Sequence, residues 1–233
     1  MGAAEASKTS ADRIYEEIRR SIIVGHWRSG ERLGLEALAD RYGTSVTPVR
    51  EALQMLTQEG LVTNKPHAGF FVTQVTLKEL SDMLELRGIL EVAAVERAVP
   101  RITAEILDEL EQVHAGYTGD DEASYDRYIT ENRRLHVMIA EASGNHELAK
   151  ELGKLHDRLA RFFVFVHTGD EMEKRHRDLL EALRNRDLEA ARQAIQHEVT
   201  ETRQLTLEHV IRQDGGAWHV GAGAGPVPDR DEI

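Results

Sequence analysis

Asn132 and His136 are spaced i, i+4 in a helically periodic stretch, so both project from one helix face, the geometry two side chains need to share one ion. His176 offers a third donor from a later segment. Arg87 and Arg134 each carry a planar fork that matches a carboxylate, although Arg87 is equally suited to an ordinary pair with Glu91 or Glu85. A second group lies near the amino terminus. Ser45 and Thr47 can donate to phosphates or bases, and Arg50, one turn on, can fork onto a guanine or instead pair with Glu51 or Glu36. Other chemistry is missing. With no cysteine there are no disulfides, thiolate metal sites or cysteine nucleophiles. No G-x-S-x-G, phosphate-binding Gly loop or dinucleotide fingerprint occurs. H-E-x-x-H fails too, since His146-Glu147 is followed by Lys150 and His197-Glu198 by Glu201. Glu111-x-x-His114 and Glu173-x-x-His176 echo part of a di-iron carboxylate bundle, so a metal-dependent helical-bundle enzyme is the rival reading, but His136 has Arg133 three residues before it. His26, His114, His146, His156, His167, His209 and His219 share no spacing and read as surface or core residues.

The elements that must position these groups follow from periodicity. Residues 11–25 place Ile14, Ile18 and Ile22 at helical spacing and stop at Gly25. A turn, HWRSGERL, leads to a short helix over 35–42. Gly43 breaks it, and Thr44 or Ser45 caps a third helix over 46–59 that buries Val49, Leu53 and Leu56. Two strands, Leu61–Asn64 and Gly69–Thr73, close a winged helix-turn-helix, with Lys65, His67 and Gly69 on the wing. After Val75 strands disappear. Residues 77–99, 103–115, 121–142, 146–166, 170–184 and 187–212 read as helices of a bundle, and 214–233 is Gly/Pro-rich and aperiodic.

Composition fits this division. The 233 residues are 41% hydrophobic and 30% charged, with no apolar run near the ~18 residues of a spanning helix and no signal-peptide pattern, so the chain reads as cytoplasmic. The net charge of −12 argues against nucleic acid at first sight. However, residues 1–75 hold 9 basic and 9 acidic side chains, so the whole excess lies beyond them. DNA contact then depends on local placement of a few cations.

Gly43-Thr44-Ser45-Val46-Thr47-Pro48-Val49-Arg50-Glu51-Ala52-Leu53, followed by Glu59-Gly60-Leu61-Val62 and Gly69-Phe70-Phe71-Val72, resembles the GntR family of bacterial transcription regulators. Glu85-Leu86-Arg87, Leu90-Glu91, Asn132 to His136, Ala142-Ser143-Gly144-Asn145, and His176 with Asp187 and Ala190-Ala191 resemble the FCD effector domain of its FadR-like branch. The resemblance implies a mainly α fold: a winged helix-turn-helix over 10–75, then an all-α effector-binding and dimerisation bundle over 76–212. The flanking segments 1–9 and 213–233 read as disordered from their composition. It implies a regulator, a repressor in most relatives, that binds a near-palindromic double-stranded DNA operator as a homodimer and answers to a small organic or sugar acid, with no membrane partner. The DNA-reading set is Ser45, Val46, Thr47, Arg50, Lys65, His67 and Gly69; the family usually has Arg at the position of Val46, which leaves Val46 to meet a thymine methyl. Relatives that bind a divalent ion use Asp or Asn and three His. Here the matching positions are Asn132, His136, His176 and Glu198, with His197 one residue earlier, ~100° around the helix. Nitrogen and carboxylate donors suit Zn, Ni or Mn. A DNA-binding architectural dimer without effector is the remaining alternative.

Overall fold

The computed structural model describes residues 8–113, 122–163 and 170–213. The outer parts of both expected disordered segments, and His114, His167 and His219, lie outside the described residues. The chain separates into two compact units between Gln74 and Val75.

In the first unit, α1 (Ser10–Ile23) begins at a capping box in which the Thr9 hydroxyl accepts from the Asp12 N–H and Asp12 accepts from the Thr9 N–H. Its buried Ile14, Ile18 and Ile22 face α3 (Val46–Gln58), whose own stripe is Val49, Ala52, Leu53 and Leu56. The i, i+3, i+4, i+7 spacing of that stripe gives α3 one apolar face, so its opposite face meets solvent. Tyr15 donates to Glu59, and Arg19 pairs with the same carboxylate at 3.5 Å, tying α1 to the end of α3. The short α2 (Leu35–Arg41) precedes α3, and Gly43 takes φ +60 in the turn between them.

One strand was not expected. Arg32–Leu33, read from sequence as part of a turn, forms β1 and pairs antiparallel with β3 (Gly69–Val72), which also pairs with β2 (Val62–Lys65). The sheet order is β1-β3-β2. Two residues are too few to show alternation in the sequence, and the pairing depends on Gly30 at φ +78, whose N–H donates to the Val72 carbonyl at 2.9 Å.

The second unit is helical: α4 (Leu77–Ala98), α5 (Ala104–Val113), α6 (Glu122–Ala142), α7 (His146–Phe163), α8 (Asp170–Arg184) and α9 (Leu188–Gln213). A second capping box, Thr76 with Glu79, starts α4. This helix packs against α6, α7 and α9, while α5 bridges α6 and α8. The main core gathers Val95, Leu110, Leu135, Ile139, Leu183 and Ile195 with their neighbours. A layer of buried charged and polar side chains lies among α4, α6, α7, α8 and α9.

Candidate functional sites

On the winged unit, the exposed face of α3 presents Thr47, Arg50, Glu51, Gln54 and Gln58. Ser45 occupies the N-cap position with extended backbone (φ −81, ψ 166), but its exposed side chain makes no capping hydrogen bond. Hydroxyl and helix-end N–H groups therefore stand together where a phosphate can be met. Arg50 is exposed and makes no ion pair among the described residues, so the alternative pairing with Glu51 or Glu36 is not formed. Val46 differs from the other members of the expected DNA-reading set: it is half-buried and packs against the core of this unit.

The wing tip carries Lys65, with its ammonium 4.7 Å from the Phe71 ring centre, and His67 at φ +60. A left-handed backbone is unfavourable for a side chain with a Cβ, and here it follows Pro66 in a turn closed by the Ala68 N–H on the Lys65 carbonyl at 3.1 Å. Gly69 (φ +98) lies under Arg32, whose guanidinium nitrogens come within 3.9 and 4.0 Å of where a Cβ would stand. Two further polar side chains lie on these surfaces. Gln54 shares the face of Arg50 one turn on, a signal readable from spacing; Arg32 joins the wing only through β1, which had none.

In the helical unit the structure brings together Arg87 and Glu91 of α4, Asn132 and His136 of α6, His156 of α7, His176 of α8 and Glu198 of α9, all buried. The carboxylate of Glu198 accepts through Oε1 from Arg87 Nη2 at 2.7 Å and lies 3.1 Å from His136 Nε2. The other nitrogen of the same imidazole, Nδ1, is 3.0 Å from Glu91 Oε2. Glu91 Oε1 meets Arg87 Nε at 3.2 Å and His156 Nε2 at 2.8 Å. Rings stack behind these contacts, with His136 and His156 centres 4.9 Å apart.

Two carboxylates face one guanidinium and one central imidazole, and this balance sets the charges. Burial opposes protonation of His136, but Glu91 and Glu198 outweigh it and raise its pKa to about 9. Burial would likewise lift Glu91 and Glu198; the His136 imidazolium opposes it at both, joined by His156 and Arg87 at Glu91 and by His176 and Arg87 at Glu198, and both stay ionised well below the usual carboxylate range. Burial dominates at His156 and lowers it to about 4, so this ring is neutral.

Glu198 faces inward and His197 outward, 72% exposed, so the two are separated by the single-residue turn of the helix. Arg134 does not join the cluster. It is exposed, two residues from both Asn132 and His136 and hence near the opposite side of α6. Arg87 is inside, but as the partner of Glu91 and Glu198 together rather than as an open fork. Glu91 and His156 are the members that sequence reasoning passed over. His156 had a signal: Ala149, Leu152, Leu159 and Phe163 surround it at helical spacing as one buried stripe of α7.

One ring nitrogen each of His136 and His176 and a Glu198 oxygen lie within 4.8 Å of one another. His136 Nε2 stands 3.1 Å from Glu198 Oε1 and His176 Nε2 3.7 Å from Glu198 Oε2, so each histidine faces a different oxygen of one carboxylate. Glu198 Oε2 and Asn132 Oδ1 are buried acceptors with no hydrogen-bond partner. These residues fit an ion. Glu91, His136 and His156 form a second close triad, and the Arg87 guanidinium stands beside both, 3.2 Å from Glu91 and 2.7 Å from Glu198.

Comparison with known proteins assigns both units. Residues 10–72 match the family of bacterial regulatory proteins, gntR family, and residues 82–200, half of the chain, match the FCD domain. The chain belongs to the GntR family, in its FCD-bearing form. It is 28% identical over 194 residues to the uncharacterized HTH-type transcriptional regulator YdhC of Bacillus subtilis, covering 78% of this chain and 84% of that one. It is also 28% identical over 205 residues to the HTH-type transcriptional repressor GlaR of Escherichia coli, covering 80% and 91%. The fold is that of E. coli McbR/YncC, with a TM-score of 0.69 at 22% identity over 87% of this chain and 99% of that one. This GntR regulator is therefore a DNA-binding transcriptional regulator rather than an enzyme, with its winged unit as the DNA-binding part and its FCD unit as the effector-binding part.

Proposed function

We propose that this GntR regulator is a cytoplasmic repressor whose operator affinity is set by a small organic or sugar acid bound at the buried cluster of the FCD unit. The observation that carries the reading is the unsatisfied acceptor pair, Glu198 Oε2 and Asn132 Oδ1, beside a buried guanidinium and two imidazoles. Buried polar groups are normally paired, so an incomplete set in the interior favours a bound ligand. Asn132, His136, His176 and Glu198 would hold Zn, Ni or Mn, which when bound supplies a Lewis-acid anchor for a carboxylate. His136 must give up its Nε2 proton to ligate, while Glu91 keeps hold of Nδ1 and orients the ring. Arg87 holds Glu198 in place from α4.

Ser45, Thr47 and Arg50 on α3, with Lys65, His67 and Gly69 on the wing and Val46 at the helix start, form the DNA-reading set. One such helix cannot supply operator-level specificity, so two copies reading a near-palindrome are expected. Leu86 and Ile89, exposed on neighbouring turns of α4, favour a homodimer through the FCD unit. The effector shifts operator affinity by the difference in its own affinity for the two states of the dimer. Repression has the support of relatives named as repressors, GlaR and RspR of E. coli.

The test is selection of binding sites from random duplex DNA by the full-length protein, followed by titration of the selected duplex with a panel of hydroxy and sugar acids. A near-palindromic consensus, released by one of the acids, is expected. Binding without sequence preference, or a consensus indifferent to every acid, would favour the architectural dimer instead.

A further inference from the structure

The solvent face of α3 holds one side chain that the DNA-reading set leaves out. Thr47, Arg50 and Gln54 are exposed at i, i+3 and i+7, with Glu51 between them at i+4. This is the spacing with which a helix lying in a major groove reads base edges. Val46, at the start of the helix, is half-buried and offers no hydrogen-bonding side chain, so polar reading falls to residues further along. Arg50 is the only cation of α3, and any base beyond its reach must be met by a neutral group.

Two exposed glutamines of α9 are each held by a glutamate four residues away: Gln193 donates to Glu189 at 2.9 Å, and Gln204 to Glu208 at 2.9 Å. Gln54 has Glu51 three residues before it, also a helical neighbour, yet makes no hydrogen bond to it among the described residues. Its carbonyl oxygen and amide nitrogen are both open to a partner outside the chain. That combination matches adenine, whose N6 amino group donates and whose N7 accepts at the major-groove edge. Arg50 has the fork for the O6 and N7 of guanine. Four residues, ~6 Å of helix rise, separate the two side chains, about two base-pair steps of ~3.4 Å. We infer that Gln54 is a base-reading residue that selects an A·T pair within about two steps of the pair read by Arg50. The inference rests on the reading of α3 as the helix that enters the groove.

The test is selection of sites from random duplex DNA by the full-length parent and by Gln54→Ala, Gln54→Arg and Arg50→Ala. The parent's selected duplex is then titrated with each protein at several salt concentrations. Arg50→Ala should relax the consensus at one position and so locate the guanine. Gln54→Ala should relax a nearby A·T position and lose about tenfold in affinity for the parent's duplex. Its salt dependence should match the parent's, since a neutral amide displaces no counterions, and its melting midpoint should hold because the side chain is exposed. Gln54→Arg should exchange the preferred adenine for guanine at that position. An unchanged consensus with Gln54→Ala, while Arg50→Ala relaxes its own base, would overturn the assignment of Gln54 alone. So would tighter binding by Gln54→Arg without a change of base, the mark of a phosphate contact. A consensus unaltered by both alanine variants would overturn the reading of α3 with it.

Discussion

Replacing Arg87 by Met isolates what holds the FCD unit together at its charged layer. The guanidinium is 2% exposed and contacts Glu91 at 3.2 Å and Glu198 at 2.7 Å. Methionine keeps much of the volume and packing against Phe163, whose ring centre lies 5.0 Å from the guanidinium carbon. It leaves two buried carboxylates without the guanidinium they share, facing histidines alone. Removing one partner of a buried ion pair costs about 3–5 kcal/mol, since the remaining charge is left without compensation. At about 2–4 °C per kcal/mol for a chain of this size, the melting midpoint should fall by about 6–20 °C. Far-UV circular dichroism at neutral pH, with chelator present, reads this directly. Adding Glu198→Gln should recover part of the loss by removing the stranded charge, so the double variant should be more stable than the sum of the two singles predicts. A midpoint within about 2 °C of the parent for Arg87→Met, or strictly additive losses, would refute the charge-balance argument.

Other outcomes follow from the same geometry. Arg50→Ala should weaken binding to the selected duplex by about 1–3 kcal/mol while leaving the dimer mass and melting midpoint unchanged, and undiminished binding would remove Arg50 from the reading face. Thr76→Ala should cost the FCD unit about 1 kcal/mol by opening the capping box, visible as a lowered urea midpoint at constant slope. Glu79 titrates low because the Thr76 backbone and hydroxyl bind its carboxylate. Its contribution is present above the ordinary carboxylate pKa and lost as pH falls through the depressed one, so the parent and Thr76→Ala midpoints should converge in acid. Glu198→Ala should cost more metal affinity than His197→Ala, measured by competition with a chromogenic chelator, and the reverse order would show that the exposed His197 is the ligand.

Much of this was legible in residue order because helices advertise themselves. The stripes Ile14/Ile18/Ile22 and Val49/Leu53/Leu56 predict buried faces, and both are buried. Pairing between distant segments was not legible. β1 consists of two residues whose partner, β3, lies nearly forty positions on, and no local pattern encodes that contact. The charged cluster was legible in part. Asn132 and His136 share a face by spacing alone, but Glu91 and His156 enter through the packing of α4 against α6 and α7. Arg134 shows the opposite limit: its residue type suits a carboxylate, yet helix phase turns it outward.

The most direct test of the buried cluster is elemental analysis of protein purified without chelator or histidine tag, beside the His136→Ala/His176→Ala double variant. Zn, Ni or Mn close to one per chain, absent from the variant while its winged unit still binds the selected duplex, is the predicted result. No metal after reconstitution, or equal metal in both proteins, would contradict the assignment of Asn132, His136, His176 and Glu198 as an ion-holding effector site.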